Sequence, residues 1–319
     1  MVETPPGPEQ RCGFAAIIGA PNAGKSTLVN ALVGAKVSIV THKVQTTRFN
    51  VRGVFIKAAS QVILVDTPGI FVPRRALDRA MVQAAWNGAA EADAIVHLVD
   101  APAFAKALPV GAQEPSAGAP AAKDVRKVME GLGAHGLRAM LALNKIDKMP
   151  REDLLRLAEY FGQTGSYGEI LMISATRASG LDKLKSRLAG AMPEGPWHYP
   201  ADQIADLPAR LLAAEITREK LMLRVHEELP YAASVLTESW EEHRDGSVRI
   251  GQVITVQRQS QRKIVLGKGG QTIKAIGAAS RQELSRLLDR KVHLFLHVKV
   301  QENWASSREH LAGLGLDMG

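Results

Sequence analysis

Over the first two thirds of the chain, short continuous apolar runs alternate with longer stretches whose apolar residues recur at helical spacing. "FAAIIG", "VILVDTPG", "AIVHLVDA", "MLALNKID" and "EILMISA" have the length of buried strands, and stretches such as "LDKLKSRLAGAM" supply the helices. The alternation predicts an α/β domain with a mostly parallel sheet, whose ligand site lies at the carboxyl ends of the strands. Two segments break the pattern. Residues 101–123, "APAFAKALPVGAQEPSAGAPAAK", are rich in alanine, proline and glycine and are expected to form a flexible surface insertion. Residues 193–208, "PEGPWHYPADQIADLP", carry prolines that interrupt both periods and mark a linker.

Past the linker the pattern changes. A helix, "ARLLAAEITREKLMLRVHEELP", precedes two strands, "ASVLTESWEEH" and "SVRIGQVITVQRQ", joined by a turn at Asp245 and Gly246. The apolar run "IVL" then enters the loop "GKGG" in a strand-loop-helix context, a helix covers roughly 271–289, and "KVHLFLHVKV" is a last strand. This is a compact α+β unit. The expected organisation is a flexible N-terminus over 1–12, a nucleotide-binding domain over 13–192, the linker over 193–208, a second domain over 209–303 and a tail over 304–319, where Trp304 is expected to pack or stack.

Charge narrows the partners. The 319 residues hold 40 Lys and Arg against 32 Asp and Glu, a net charge of +8. Between Arg249 and Val300 eleven basic residues face two acidic ones, so that segment alone carries +9 and is expected to meet a polyanion. Cys12, the only cysteine, excludes an intrachain disulfide, fits a reducing compartment and is expected just before the first strand. The N-terminal "MVETPPGPEQR" lacks the apolar stretch of a signal peptide, and nothing downstream approaches the roughly 18 consecutive apolar residues of a spanning helix. A soluble cytoplasmic protein is the expectation, with attachment to a membrane surface left open.

The first candidate chemistry follows the first strand. "GAPNAGKST", residues Gly19, Ala20, Pro21, Asn22, Ala23, Gly24, Lys25, Ser26 and Thr27, matches G-x-x-x-x-G-K-[ST] between a strand and a helical run. Glycines let successive backbone N–H groups turn toward phosphates, Lys25 reaches the β and γ phosphates, Ser26 can ligate Mg²⁺, and the helix N-terminus favours anions. "NKID" names the base. Asp147 can accept from N1–H and the 2-amino group of guanine, donors that adenine lacks, which selects GTP over ATP. Asn144 is expected at the other edge of the base, Lys145 as a brace for the loop, and "ISA", with Ser174 and Ala175, as a backbone donor to the guanine oxygen. "DTPG", residues Asp66, Thr67, Pro68 and Gly69, ends a strand: Asp66 would hold Mg²⁺ through a water, and the Gly69 N–H would sense the γ-phosphate. In "VQTTR", Thr47 is taken as the switch threonine that closes on Mg²⁺, with Thr46 the competing choice.

The second glycine loop, Gly267, Lys268, Gly269 and Gly270, lacks the spacing of a nucleotide loop, and no acidic metal-binding partner follows it. It fits G-x-x-G, the loop of a KH module, where closely packed glycines let a single-stranded RNA backbone approach. Lys268 would meet a phosphate. Ile264, Leu266, Ile273 and Ile276 would line an apolar groove for unstacked bases, flanked by Arg262, Lys263 and Lys274, which add salt-dependent affinity. Two strands before the loop give the unit the topology of a type II KH domain.

The ordered motifs "GAPNAGKST", "QTTR", "DTPG" and "NKID" resemble the translation-factor-like GTPases. Together with the C-terminal unit they are similar, over nearly the whole chain, to the Era family of ribosome-assembly GTPases. The resemblance implies an α/β P-loop GTPase domain with a mostly parallel sheet followed by an α+β type II KH domain. It implies hydrolysis of GTP to GDP and phosphate, binding of the 3′ end of small-subunit ribosomal RNA, and a role in 30S ribosomal subunit assembly and rRNA maturation. A cytoplasmic monomer is expected, compatible with peripheral association at the inner face of the cell membrane. Ile70 follows "DTPG" where Ras-type GTPases carry a water-orienting glutamine, and the resemblance implies the same departure. The catalytic candidates are therefore Lys25, Thr47 and Asn22, the last as a ligand of K⁺ bridging the phosphates in place of an arginine finger.

Overall fold

A computed structural model of the chain describes residues 10–41, 43, 46–116, 118–201, 203, 205–206, 208–225 and 229–307. These residues fall into two compact units, which divide after Ser38, Thr46, Arg74, Ala80 and Asp206, so that the segments 39–46 and 75–80 group with the C-terminal unit. Residues 1–9 of the N-terminal tail expected over 1–12, His42, Val44, Gln45 and the end of the chain beyond 307 lie outside the described residues, and Arg11 and Cys12 belong to a strand rather than to that tail.

Up to residue 206 the elements are β1 (Arg11–Ile18), α1 (Lys25–Val33), β2 (Val51–Lys57), β3 (Ser60–Asp66), α2 (Ala76–Ala90), β4 (Ala94–Asp100), α3 (Ala101–Ala107), α4 (Pro120–Ala134), β5 (Ala139–Asn144), α5 (Arg151–Gln163), β6 (Tyr167–Met172), α6 (Leu181–Ala191) and β7 (Ala205–Asp206). They build one sheet in the order β6-β5-β4-β1-β3-β2-β7. The five apolar runs are its parallel strands, and β2 runs antiparallel to both β3 and β7. Every residue of β3 is buried, as a strand covered on both faces requires. Along β1 the pleat alternates: Ala15 and Ile17 share a core with α1 and α6, Ala16 and Ile18 one with α2 and α4. Ile17 lies in register with Asp66, and Asp100 with Asn144. The segments after β1, β3, β4 and β5 therefore all leave the sheet at one end.

Three expectations are corrected in this unit. Residues 101–123 are not an unstructured insertion throughout, because α3 continues directly from β4 and α4 begins at Pro120, with an exposed stretch over 109–114 between them. Its Phe104 is buried against Phe161 with ring centroids 4.9 Å apart, and the Asp100 carboxylate accepts the Ala103 N–H at 3.1 Å as a cap. Alanine read as low complexity is here the strongest helix former, and Pro120 opens α4 where its missing N–H costs nothing. The proline-rich segment after 193 runs along the same unit: Gln61 accepts the His198 and Tyr199 N–H groups at 2.9 and 3.0 Å, and Trp197 Nε1 donates to Ala59 O at 3.0 Å. Cys12 lies inside β1, buried, with its Sγ donating to Gln61 Oε1 at 3.4 Å.

The C-terminal unit contains α7 (Ala209–Arg224), α8 (Leu229–Ala232), β8 (Ala233–Glu242), β9 (Val248–Val256), α9 (Gln259–Leu266), α10 (Gln271–Leu287) and β10 (Val292–Val300). Its sheet has the order β10-β9-β8, with β8 antiparallel and β10 parallel to β9. The turn at Asp245 and Gly246 forms as expected, fixed by Asp245 Oδ1 accepting from Ser247 N at 3.0 Å. Trp304 packs: it is fully buried, with Nε1 donating to Ala232 O at 2.9 Å. The glycine loop sits between two helices rather than after a strand. Gln261 reaches back to accept the Gln257 and Arg258 N–H groups at 2.9 and 3.1 Å, which starts α9, and Val265 one turn later is buried.

Candidate functional site

The phosphate loop turns at Gly24, which caps α1 with φ 101°. A Cβ there would lie 2.5 Å from the Asn144 amide, so glycine lets the loop meet the end of β5. Lys25 is buried, and its Nζ donates to Gly19 O at 3.0 Å and Ala20 O at 2.9 Å. Burial pushes its pKa down to about 8, against the opposing pull of the Asp66 carboxylate. Ser26 Oγ lies 2.8 Å from Thr47 Oγ1, which is 3.3 Å from Asp66 Oδ2. Asp66 is fully buried, its pKa raised by that burial, and its Oδ1 has no protein partner. Three convergent oxygens and an orphaned buried carboxylate oxygen fit a hard divalent cation such as Mg²⁺. Thr46 Oγ1 turns away to Thr41 and to Lys43 O, at 2.8 and 2.7 Å, so the geometry favours Thr47 of the two. Thr67 Oγ1 donates to Ile17 O at 2.8 Å and anchors the "DTPG" turn. Asn22 is exposed in the left-handed region with φ 61°. Ala23 is buried, with Pro21 and Thr27 half-buried beside it.

The base-recognition loop stands next to it. Lys145 Nζ donates to Asn22 O at 2.8 Å and pairs with Asp100, so it does brace the two loops. Asp147 is exposed, and Ser174 Oγ donates to its Oδ1 at 2.6 Å, which holds the carboxyl below the ordinary range. Two expectations change here. Asn144 is buried with both ends of its amide engaged by protein, Nδ2 donating to Ala23 O at 2.9 Å and Oδ1 accepting from Ala175 N at 3.1 Å. It ties the phosphate loop to the "ISA" turn instead of facing the base. The Ser174 N–H likewise goes to Ser179 O at 3.0 Å, so neither backbone donor points free toward a guanine oxygen.

In the second unit, Gly267 ends α9 and Gly270 caps α10. Positions where a Cβ on Gly269 or Gly270 would project meet nothing within 4 Å, which leaves this backbone open to another backbone. Lys263, Lys268 and Lys274 are exposed beside it, and Ile264 is 54% exposed. Leu266 and Ile273 are partly buried against the core. Two residues depart from expectation. Ile276 is fully buried and holds α10 on the sheet, so no base can reach it, and Arg262 Nε donates to Val298 O at 3.3 Å.

Comparison with known proteins places both sites in one lineage. The family described as 50S ribosome-binding GTPase matches residues 14–145, and the KH domain family matches residues 228–305. GTPase Era of Caulobacter vibrioides is 63% identical over 308 residues, 96% of each chain, and GTPase Era of Maricaulis maris is 58% identical over 317 residues, 99% of each. The chain belongs to the Era family of GTPases. A crystal structure of an Aquifex aeolicus Era variant bound to GDP.AlF4- is 35% identical, with a TM-score of 0.87 over 97% of this chain and all of that one. Era in complex with MgGDPNP and nucleotides 1506-1542 of 16S ribosomal RNA matches with the same identity, coverage and TM-score. The fold of this Era-family chain is accordingly a P-loop GTPase domain followed by a KH domain. No helix among its described residues is long and apolar enough to cross a membrane.

Two residues escaped the sequence reading, one at the nucleotide site and one in the C-terminal unit. Asp100 both caps α3 and pairs with Lys145; its signal was an aspartate closing an apolar strand, as Asp66 does. Arg218 of α7, fully buried and paired with Glu215, donates to the carbonyl of Thr46. Nothing in the local pattern of α7 pointed to that carbonyl.

Proposed function

We propose that this chain binds GTP, hydrolyses it to GDP and phosphate with Mg²⁺, and binds RNA near the 3′ end of small-subunit ribosomal RNA through its glycine-loop groove, acting in 30S subunit assembly and rRNA maturation. The observation that carries the reading is the convergence of Ser26, Thr47 and Asp66 beside Lys25, at the same end of the sheet as Asp147. Bound Mg²⁺ would neutralise developing charge between the β and γ phosphates. Lys25 would exchange the Gly19 and Ala20 carbonyls for phosphate oxygens, the glycine-loop N–H groups would orient the triphosphate, and Asp147 would select guanine. Ile70 is fully buried in the core and cannot touch a water. We assign the missing polarisation to K⁺ held at Asn22, whose amide is exposed at the loop; equal hydrolysis rates in K⁺ and Na⁺ would sink that assignment.

Nucleotide state is proposed to gate RNA access. Thr46 and Thr47 are adjacent, yet the Thr47 hydroxyl belongs to the metal-binding set, while the Thr46 carbonyl is held by Arg218 on a helix of the KH unit. RNA affinity should differ between the GTP-analogue and GDP states, and identical affinity counts against gating. The buried Ile70 also favours a second reading, an RNA-binding scaffold that holds GTP without turning it over. Single-turnover hydrolysis with and without RNA separates the two. We take residues 13–192 as the G domain, 193–208 as the connection packed along it up to Asp206, and 209–303 as the KH domain of a cytoplasmic monomer, with peripheral membrane association compatible.

A further inference from the structure

β10 is an edge strand whose side chains alternate between two environments. Val292, Leu294, Leu296, Val298 and Val300 join the cores formed with α7, α9 and α10. His293, Phe295, His297 and Lys299 alternate with them and so face the reverse side of the sheet. Phe295 is 54% exposed there. Arg249 of β9 lies over its ring, 4.9 Å from the centroid, and its register partner is Gly251, beside which only the small Ser239 side chain lies close. Around the β10 edge the surface continues into a cleft of about 580 Å³ lined by Arg281, Gln282 and Ser285 of α10 together with Lys291 and His293. That size lies within the range of ligand pockets.

From this arrangement we propose that the reverse face of the KH sheet, centred on Phe295, is a second RNA-contacting surface. It stacks an unpaired base of the strand that leaves the glycine-loop groove, with Arg281, Lys291 and Lys299 meeting the phosphates around the β10 edge. The proposal rests on the RNA-binding reading above. A half-exposed ring beneath a guanidinium and among cations offers a base its π-face and the backbone its counter-charge. A single aromatic in such surroundings has neither the contiguous apolar patch of a protein interface nor the apolar stripe of a bilayer-surface helix. Glu241, 3.5 Å from Arg249, is already paired and does not reverse the sign of the surface.

The test uses the full chain with a GTP analogue and single-stranded RNAs from the 3′ end of small-subunit ribosomal RNA, shortened one nucleotide at a time from either end. Phe295→Ala should bind the longest RNA roughly tenfold more weakly, and should bind fragments of about four nucleotides, the length held by a G-x-x-G groove, as the wild type does. Phe295→Trp should keep wild-type affinity at every length, and Gly269→Asp should lose affinity at every length. Ultraviolet crosslinking of the wild-type chain reads the same point without a substitution, with adducts expected within residues 293–299. Equal affinity of Phe295→Ala and wild type for the longest RNA, an equal loss at all lengths, or no adduct in 293–299 overturns this surface and leaves the groove standing. A wild-type chain that binds none of the RNAs overturns both.

Discussion

Nucleotide binding should draw a proton onto Lys25. Burial holds the free side chain at a pKa of about 8, although its ammonium donates to the Gly19 and Ala20 carbonyls and lies near Asp66. Phosphates brought against Nζ add negative charge to a site already short of solvent, which favours the charged form and raises the pKa well above that of the free protein. The bound state then holds more protons than the free one, so affinity falls as pH rises through 8. At pH 8 about half of the free molecules lack this proton, and binding should take up about 0.5 proton; at pH 7 the figure is about 0.1. Between pH 7 and 8.5 the association constant should drop about fourfold, or about 0.8 kcal/mol. Calorimetric titration with GDP in buffers of different ionisation enthalpy measures the uptake directly. Phosphate monoesters ionise near pH 6 and contribute little in this window. Uptake near zero at pH 8 would refute the reasoning, and so would undiminished uptake in Lys25→Met.

Four further outcomes follow from burial and pairing. His97 is fully buried, its Nδ1 lies 2.6 Å from the Tyr167 hydroxyl, and burial, helped by the charge of Lys25, lowers its pKa to about 3. The unfolded chain binds that proton near pH 6.5, so stability should fall at about 1.4 kcal/mol per unit as pH drops from 6.5 toward 3; urea titrations of His97→Gln should show a flatter profile, and parallel profiles contradict this. Ile276→Ala should cost about 2–5 kcal/mol, whereas Ile264→Ala should stay within about 0.5 kcal/mol and weaken RNA binding; the reverse pattern in urea and anisotropy titrations would exchange their roles. Ile70→Gln buries an amide in an apolar core and should lose about 1–3 kcal/mol with no gain in hydrolysis, so a stable and faster variant speaks against the packing argument. Asp147→Ala should lower GTP-over-ATP selectivity by about 100-fold or more in competition binding, and an unchanged ratio removes Asp147 from base recognition.

The first unit was legible because a strand covered on both faces must be continuously apolar, as "VILV" of β3 is. β2, "VRGVFIK", breaks its apolar run with Arg52 and Gly53 and was not anticipated. α9 was misread for a related reason: only Gln261 and Val265 of its eight residues are buried, and three consecutive apolar residues fit a short strand as well as one helical turn. At the nucleotide site the motifs supplied residue types at one end of the sheet, which follows from local order. They could not tell where the Asn144 amide would find partners, because Ala23 and Ala175 are brought to it by two other loops. Ile276 failed in the same way, since position on α10 was visible and rotation about its axis was not.

The segment after Asp66 is fastened to the phosphate loop at two consecutive residues. The Ile70 N–H donates to Gly19 O at 3.0 Å, and a Cβ on Gly69 would fall 2.9 Å from Pro21. With the Ile70 side chain committed to the core, the residue after "DTPG" has neither the atoms nor the freedom to handle water. Assistance must then come from a group that is still free to move or from one that arrives. Asn22, whose side chain is exposed at the loop, is the proposed first, and bound RNA the second. Under the proposed function these are complementary: slow intrinsic hydrolysis preserves the GTP state until RNA is engaged, and a self-sufficient glutamine at position 70 would discharge that state before any RNA could be inspected.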